Sequence, residues 1–175
     1  MKECRLFAVP CCPDWPMSWI NPKPARDISL DDYGGTPIPN HIDPDSAPGL
    51  LKLAMQINVV SSATQILPAT GRYNCHGLVF GSRRTNIPPV GIDFDIEELL
   101  RRDRYRQSTK PQIGDVIIYR RANGEIDHSG IVCYVETIGK EAVVKVWSAW
   151  GSLGEFIHHQ FDTPYDGATE YWRLA

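Results

Sequence analysis

The sequence predicts an α+β fold in one domain, on three observations. The chain has 175 residues with 42% hydrophobic and 22% charged residues, enough for one ordinary core. Its helix-like stretches fall in the first half. Beyond residue 113, short runs rich in β-branched residues alternate with turn signals, the pattern of an antiparallel meander.

Residues 1–48 carry prolines at 10, 13, 16, 22, 24, 37, 39, 44 and 48, a density that denies them long helices and central strands. The same stretch holds Trp15, Trp19, Ile20 and Tyr33, so it reads as an irregular arm packed on a main domain at 49–175. Pro48-Gly49 leads into a short helix over 50–57. A turn signal at Pro68-Ala69-Thr70-Gly71 precedes a helix over 75–84, which Asn86-Ile87-Pro88-Pro89 breaks. Gly77 and Gly81 lower its propensity but let a neighbouring backbone come close. The stretch 95–103 is a helix with acids early and bases late, matching the dipole. Strands are expected over 115–120, 126–136 and 142–147, the first two joined by Asn123-Gly124, a strong hairpin signal. Trp150-Gly151-Ser152-Leu153-Gly154 reads as a loop, and 155–161 and 170–174 as closing strands.

Composition excludes several function classes. A net charge of −3 and a pI near 5.9 argue against a nucleic-acid binder working by bulk electrostatics. Basic residues do cluster at Arg83-Arg84 and over 101–106, where Asp103 interrupts them; the second cluster reads as a solvated helix face. No stretch reaches the roughly 18 apolar residues of a membrane span. The N-terminus lacks the pattern of a signal peptide, so the expected location is cytoplasmic, or exported without a cleaved signal. Five cysteines without a C-x-x-C pair support neither a disulfide framework nor a structural zinc site. No metal and no cofactor is expected.

The stretch Tyr73-Asn74-Cys75-His76-Gly77 places a thiol at a helix start, where unpaired backbone N–H groups favour thiolate. About fifty residues later, His128 begins a core strand. A helix packed on a sheet would present Cys75 to His128, the base a thiol nucleophile needs. Asn74 is also a good N-cap, and Tyr73 reads as core or as a contributor to an oxyanion site. His76 points about 100° away from Cys75 on a helix, so it lines the cleft or meets the arm rather than serving as base. Asp127 and Cys133 fall on the strand face opposite His128. His158 and His159 divide between inside and outside. Trp147, Trp150 and Trp172 read as core, with Trp150 also suited to floor a substrate groove.

Two motifs carry a family resemblance. Asn74-Cys75-His76-Gly77 resembles the D-C-S-G nucleophile motif of NlpC/P60 cysteine peptidases. Gly114-Asp115 and then His128-Ser129-Gly130-Ile131-Val132 resemble that family's G-D and H-V-G-I segments, in an order the CHAP amidases share. The resemblance spans about residues 70–150. It implies a papain-like fold, N-terminal helices packed on a C-terminal antiparallel sheet, and hydrolysis of an amide through a thioester on Cys75. His128 would be general base and acid, and the Cys75 N–H part of the oxyanion hole. Ser148 falls at the place of the family's orienting residue, where His, Asn, Gln or Glu is usual; Glu155 or His158 are other candidates. The implied substrate is a peptidoglycan stem peptide or similar peptide. A phage-derived enzyme or a secreted antibacterial effector would suit the lack of a signal, and an inhibitor or immunity partner is left open. The alternatives are an acyltransferase on the same fold and a catalytically degenerate binding module.

Overall fold

The computed structural model describes residues 27–43, 63–91, 94–165 and 167–175. The expected helix at 50–57 and most of the proline-rich arm lie outside them. Nine strands and two short α-helices follow in order. They are β1 (Thr64–Leu67), α1 (Cys75–Gly81), β2 (Val90–Gly91), β3 (Phe94–Asp95), α2 (Ile96–Arg102) and β4 (Tyr105–Ser108). After these come β5 (Val116–Arg120), β6 (Ile126–Ile138), β7 (Glu141–Ala149), β8 (Glu155–His159) and β9 (Ala168–Leu174). Seven of the strands form one antiparallel sheet in the order β1-β8-β7-β6-β5-β9-β4, and β2 pairs with β3 apart from it.

This corrects the fold class. Of the described residues 44% are in strands and 13% in helices, so the domain is mainly antiparallel β and not a papain-like α+β fold with N-terminal helices packed on a sheet. The physical reasons are local. Ser82 and Arg83 both adopt left-handed backbone, with φ of 51° and 63°, and end α1 after two turns. The polar run Tyr105–Ser108 becomes an edge strand against β9. Thr64–Leu67, all exposed, supplies the opposite edge against β8. Both edge strands owe their state to distant partners, and their own side chains give little hint of it.

The centre of the sheet is buried on both faces. Along β5, Val116 and Ile118 meet Ile87, Ile96, Leu99, Leu100 and Trp172 on one side. Ile117 and Tyr119 face Val132, Val144 and Val146 on the other. A strand covered twice reads as a continuous apolar run, as this one does. Part of the arm joins the first cluster: Ile38 is buried in it, His41 bridges to Asn86, and Thr85 donates to Asn40 Oδ1 at 2.9 Å.

α1 rests against β6 and β7. Gly77 makes its seating possible, since a Cβ there would lie 1.8 Å from the Thr85 carbonyl oxygen. α2 is capped by Asp95, whose carboxylate accepts from the N–H groups of Glu97 and Glu98. No helix among the described residues is long and apolar enough to cross a membrane.

Candidate functional site

α1 delivers Cys75 to the side of β6 at Ser129. Asn74 fixes the helix start: its Oδ1 accepts from Gly77 N–H at 2.8 Å and Ile87 N–H at 3.1 Å, while Nδ2 donates to the Ile87 carbonyl at 2.7 Å. The Asn74 amide is thus occupied in holding the chain rather than presented to a ligand. Cys75 is buried, and its sulfur takes hydrogen bonds from the backbone and hydroxyl of Ser129. Burial outweighs these bonds and pushes the thiol up to about 11. At neutral pH it is therefore a thiol, not the thiolate its place at a helix start suggested.

Three buried imidazoles gather around this point. His76 Nδ1 lies 2.8 Å from Ser129 Oγ, and burial pulls its pKa down to about 4. Ser129 is therefore a shared neighbour of Cys75 and His76. His158 is bonded at both nitrogens. Its Nδ1 faces the His159 carbonyl at 2.8 Å and so carries the proton, which leaves Nε2 to accept from Ser148 Oγ at 2.9 Å. His128 differs from both. It is wholly buried, and neither ring nitrogen has a hydrogen-bonding partner among the described residues. Burial, with further unfavourable interaction from His76 and His158, holds its pKa well below the ordinary imidazole value. Tyr165 stacks on it face to face, with centroids 3.7 Å apart and planes 8° apart, and Tyr119 lies on it at 5.4 Å.

The expected constellation is thus only partly assembled. Cys75 and His128 both neighbour Tyr165, which interacts electrostatically with Cys75, but no hydrogen bond joins them. Ser148 does not orient His128. β6 and β7 pair from Ile131 opposite Trp147, so Ser148 lies one residue past that pair and turns to β8 and His158. Glu155 does not orient His128 either. Its buried carboxylate accepts from Tyr73 OH at 2.7 Å, Arg83 Nε at 2.5 Å and Trp147 Nε1 at 2.6 Å, with the Arg83 guanidinium over the Trp147 ring. Tyr73 is thereby committed to Glu155 and not to an oxyanion site. Trp150 is buried, stacked on Phe156 at 4.1 Å, and does not floor an open groove. Its indole N–H has no partner among the described residues.

The remaining candidates are occupied elsewhere. Asp127 pairs with Arg121. Cys133 is half-buried, with its thiol 3.4 Å from the Lys145 carbonyl. In the basic cluster, Arg101 and Arg102 pair with Glu97 and Glu98, and Arg104 lies over the Tyr33 ring. No group of three or more His, Cys, Asp or Glu among the described residues is placed to hold a metal ion.

Tyr165 is the neighbour that reading the sequence missed. It sits between β8 and β9, in the gap between the closing strands expected at 155–161 and 170–174, which reads only as a connection. No spacing rule takes a loop residue to a strand it does not pair with. No family model, curated protein or solved structure matches this chain.

Proposed function

We propose that the protein is a thiol-dependent hydrolase of amide bonds, acting on peptidoglycan stem peptides or similar peptides, with Cys75 as nucleophile and His128 as general base and acid. The observation that carries the proposal is the isolation of His128. Leaving a buried polar group unpaired costs about 1–3 kcal/mol, and native interiors avoid it. The fold satisfies His76 and His158 with nearby serine hydroxyls, yet leaves both nitrogens of His128 open among the described residues. An imidazole kept for its packing is ordinarily bonded, as its two neighbours are. One kept for chemistry needs a nitrogen available to a proton in flight.

In the proposed reaction His128 removes the Cys75 proton as the sulfur attacks the scissile carbonyl. The tetrahedral adduct collapses when His128 returns that proton to the departing amine, leaving a thioester. Water, deprotonated by His128, then releases the acid and restores the thiol. The motifs about Cys75 and His128 support this assignment through their local likeness to NlpC/P60 peptidases, independently of the papain-like fold.

A second reading is favoured by a separate observation. The uncharged resting thiol and the missing Cys75–His128 bond are what a degenerate binding module would show. Incubation with purified stem peptides separates the two. Hydrolysis predicts new amino groups with wild type and none with Cys75→Ala, whereas a binding module predicts complex formation with no cleavage by either. Added amine acceptors distinguish acyl transfer from hydrolysis by the product formed.

A further inference from the structure

We infer that the free edge of β4 is a docking site for an extended acidic segment of another protein, which joins the sheet as an eighth strand and sets a carboxylate opposite Arg106. β4 closes the seven-stranded sheet on one side and is paired with β9 alone. Ala175 N–H donates to the Arg104 carbonyl at 3.2 Å, which fixes the phase of that ladder. Arg104, Arg106 and Ser108 turn their backbone groups in toward β9, so Tyr105 and Gln107 turn theirs out. The outward N–H and C=O groups have no partner among the described residues. Such a row is a template for one more strand.

The side chains decide which strand fits. Arg106 lies directly opposite Arg173 on one face of the sheet. Like charges so placed destabilise a strand pair unless an acid accompanies them. Arg173 has its acid, since its Nε and Nη2 each donate to a carboxylate oxygen of Asp115 at 2.8 Å. Arg106 is exposed and has none among the described residues. A residue opposite Arg106 on an added antiparallel strand would form a non-hydrogen-bonded pair with it, the arrangement that brings side chains closest. Two open depressions of about 540 and 490 Å³ meet at Arg106, the first bordered also by Arg101 and Arg104, the second by Ser108 and Arg173. The edge is thus basic in a chain whose net charge is −3. Charges on an edge guard against stray pairing, but these deter uncharged and basic strands and not acidic ones. A second copy is disfavoured, because it would bring Arg104 and Arg106 against arginines of its own β4. Residues 1–26 and 44–62 offer only Glu3, Asp14 and Asp45, never acids in alternation. The partner that fits is therefore another chain.

The docking site is independent of the chemistry proposed for Cys75, and its test reads binding rather than turnover. The probe is a fluorescein-labelled, end-capped peptide of alternating Glu and Thr. One control has Lys for Glu; another is N-methylated at each Thr, the residues whose N–H groups would meet Tyr105 and Gln107. With the full chain, fluorescence anisotropy should show saturable binding of the Glu peptide and none of the Lys peptide. N-methylation should abolish binding, because it keeps the charge and blocks the ladder. Arg106→Ala, at an exposed position, should weaken binding about fivefold or more, and Arg106→Glu should transfer the preference to the Lys peptide. On binding, the Tyr105 and Gln107 amides should slow in hydrogen exchange. Absence of saturable binding of the Glu peptide at about 1 mM would overturn the proposal. Equal binding of the N-methylated peptide, or unchanged affinity in Arg106→Glu, would do the same. Tyr105 and Gln107 amides already protected in the free chain would also overturn it, assigning the edge to a second copy if protection rises with protein concentration and to a segment of this chain if it does not.

Discussion

Ser148 Oγ donates to Nε2 of His158 at 2.9 Å, and so the residue in line to orient a catalytic imidazole is committed to a different one. Both side chains are buried, and the other His158 nitrogen is held by the His159 carbonyl. Ser148→Ala should cost about 1–2 kcal/mol through the stranded Nε2, measured as a shift in the urea midpoint. Peptide cleavage by the folded variant should stay near wild type. A loss of cleavage without loss of stability would restore Ser148 to the catalytic group.

Glu155 is a buried charge with three donors around it. Burial alone would raise its pKa, but hydrogen bonds from Arg83, Tyr73 and Trp147, with the Arg83 charge, hold the carboxyl below its ordinary value. A carboxylate so depressed contributes stability that is complete above the unfolded-state value and lost as pH falls through the folded one. Glu155→Gln should cost roughly 2–4 kcal/mol at pH 7, since three donors lose a charged acceptor. The difference in stability between wild type and variant, by urea titration, should shrink as pH falls below about 4.

Cys75 predicts a change at the alkaline end. Its thiol is held up to about 11 by burial, against an ordinary value of 9.0. The folded state keeps the proton longer than the unfolded one, so stability is complete below the ordinary value and lost as pH rises toward the folded one. The stability of wild type should therefore fall in that window by about 2–3 kcal/mol more than that of Cys75→Ser. Parallel curves would mean the thiol is not buried as described.

His128 predicts the opposite trend in acid and an inversion of the usual effect of mutation. Its depressed pKa means that stability is lost as pH falls below the ordinary imidazole value, because the unfolded chain takes up the proton first. His128→Phe keeps a ring for Tyr165 to stack on and removes two unpaired nitrogens. It should be about 1–2 kcal/mol more stable than wild type at pH 7, with a flatter acid limb. Destabilisation by a similar amount would show that the imidazole serves the fold.

Much of the fold was legible where local chemistry decides it. The capped stretch at 95–103, the apolar run 115–120 and Asn123-Gly124, whose glycine has a φ of 86°, each declare their state within a few residues. The edge strands did not, because Thr64–Leu67 and Tyr105–Ser108 are strands by virtue of partners far along the chain, in 155–157 and 171–174. The helical half was overestimated for a related reason: nothing in Ser82-Arg83 announces two left-handed residues. Within the candidate site, the packing of the Cys75 helix against the strand that carries His128 was legible, and the protonation of the two side chains was not. Burial sets that protonation, and the ring that covers one face of His128, Tyr165, arrives from a connection between strands that carries no signal of it.

In the proposed reaction Cys75 attacks a carbonyl with the help of His128. Intact-mass spectrometry after mixing the protein with a peptide thioester, followed by peptide mapping, tests it without knowledge of the natural substrate. One acyl group should form on Cys75 and decay as acid product accumulates, with no such adduct in Cys75→Ala and acylation lost in the folded His128→Phe variant. Acyl groups confined to other cysteines, or acylation of Cys75 at equal rates with and without His128, would contradict it.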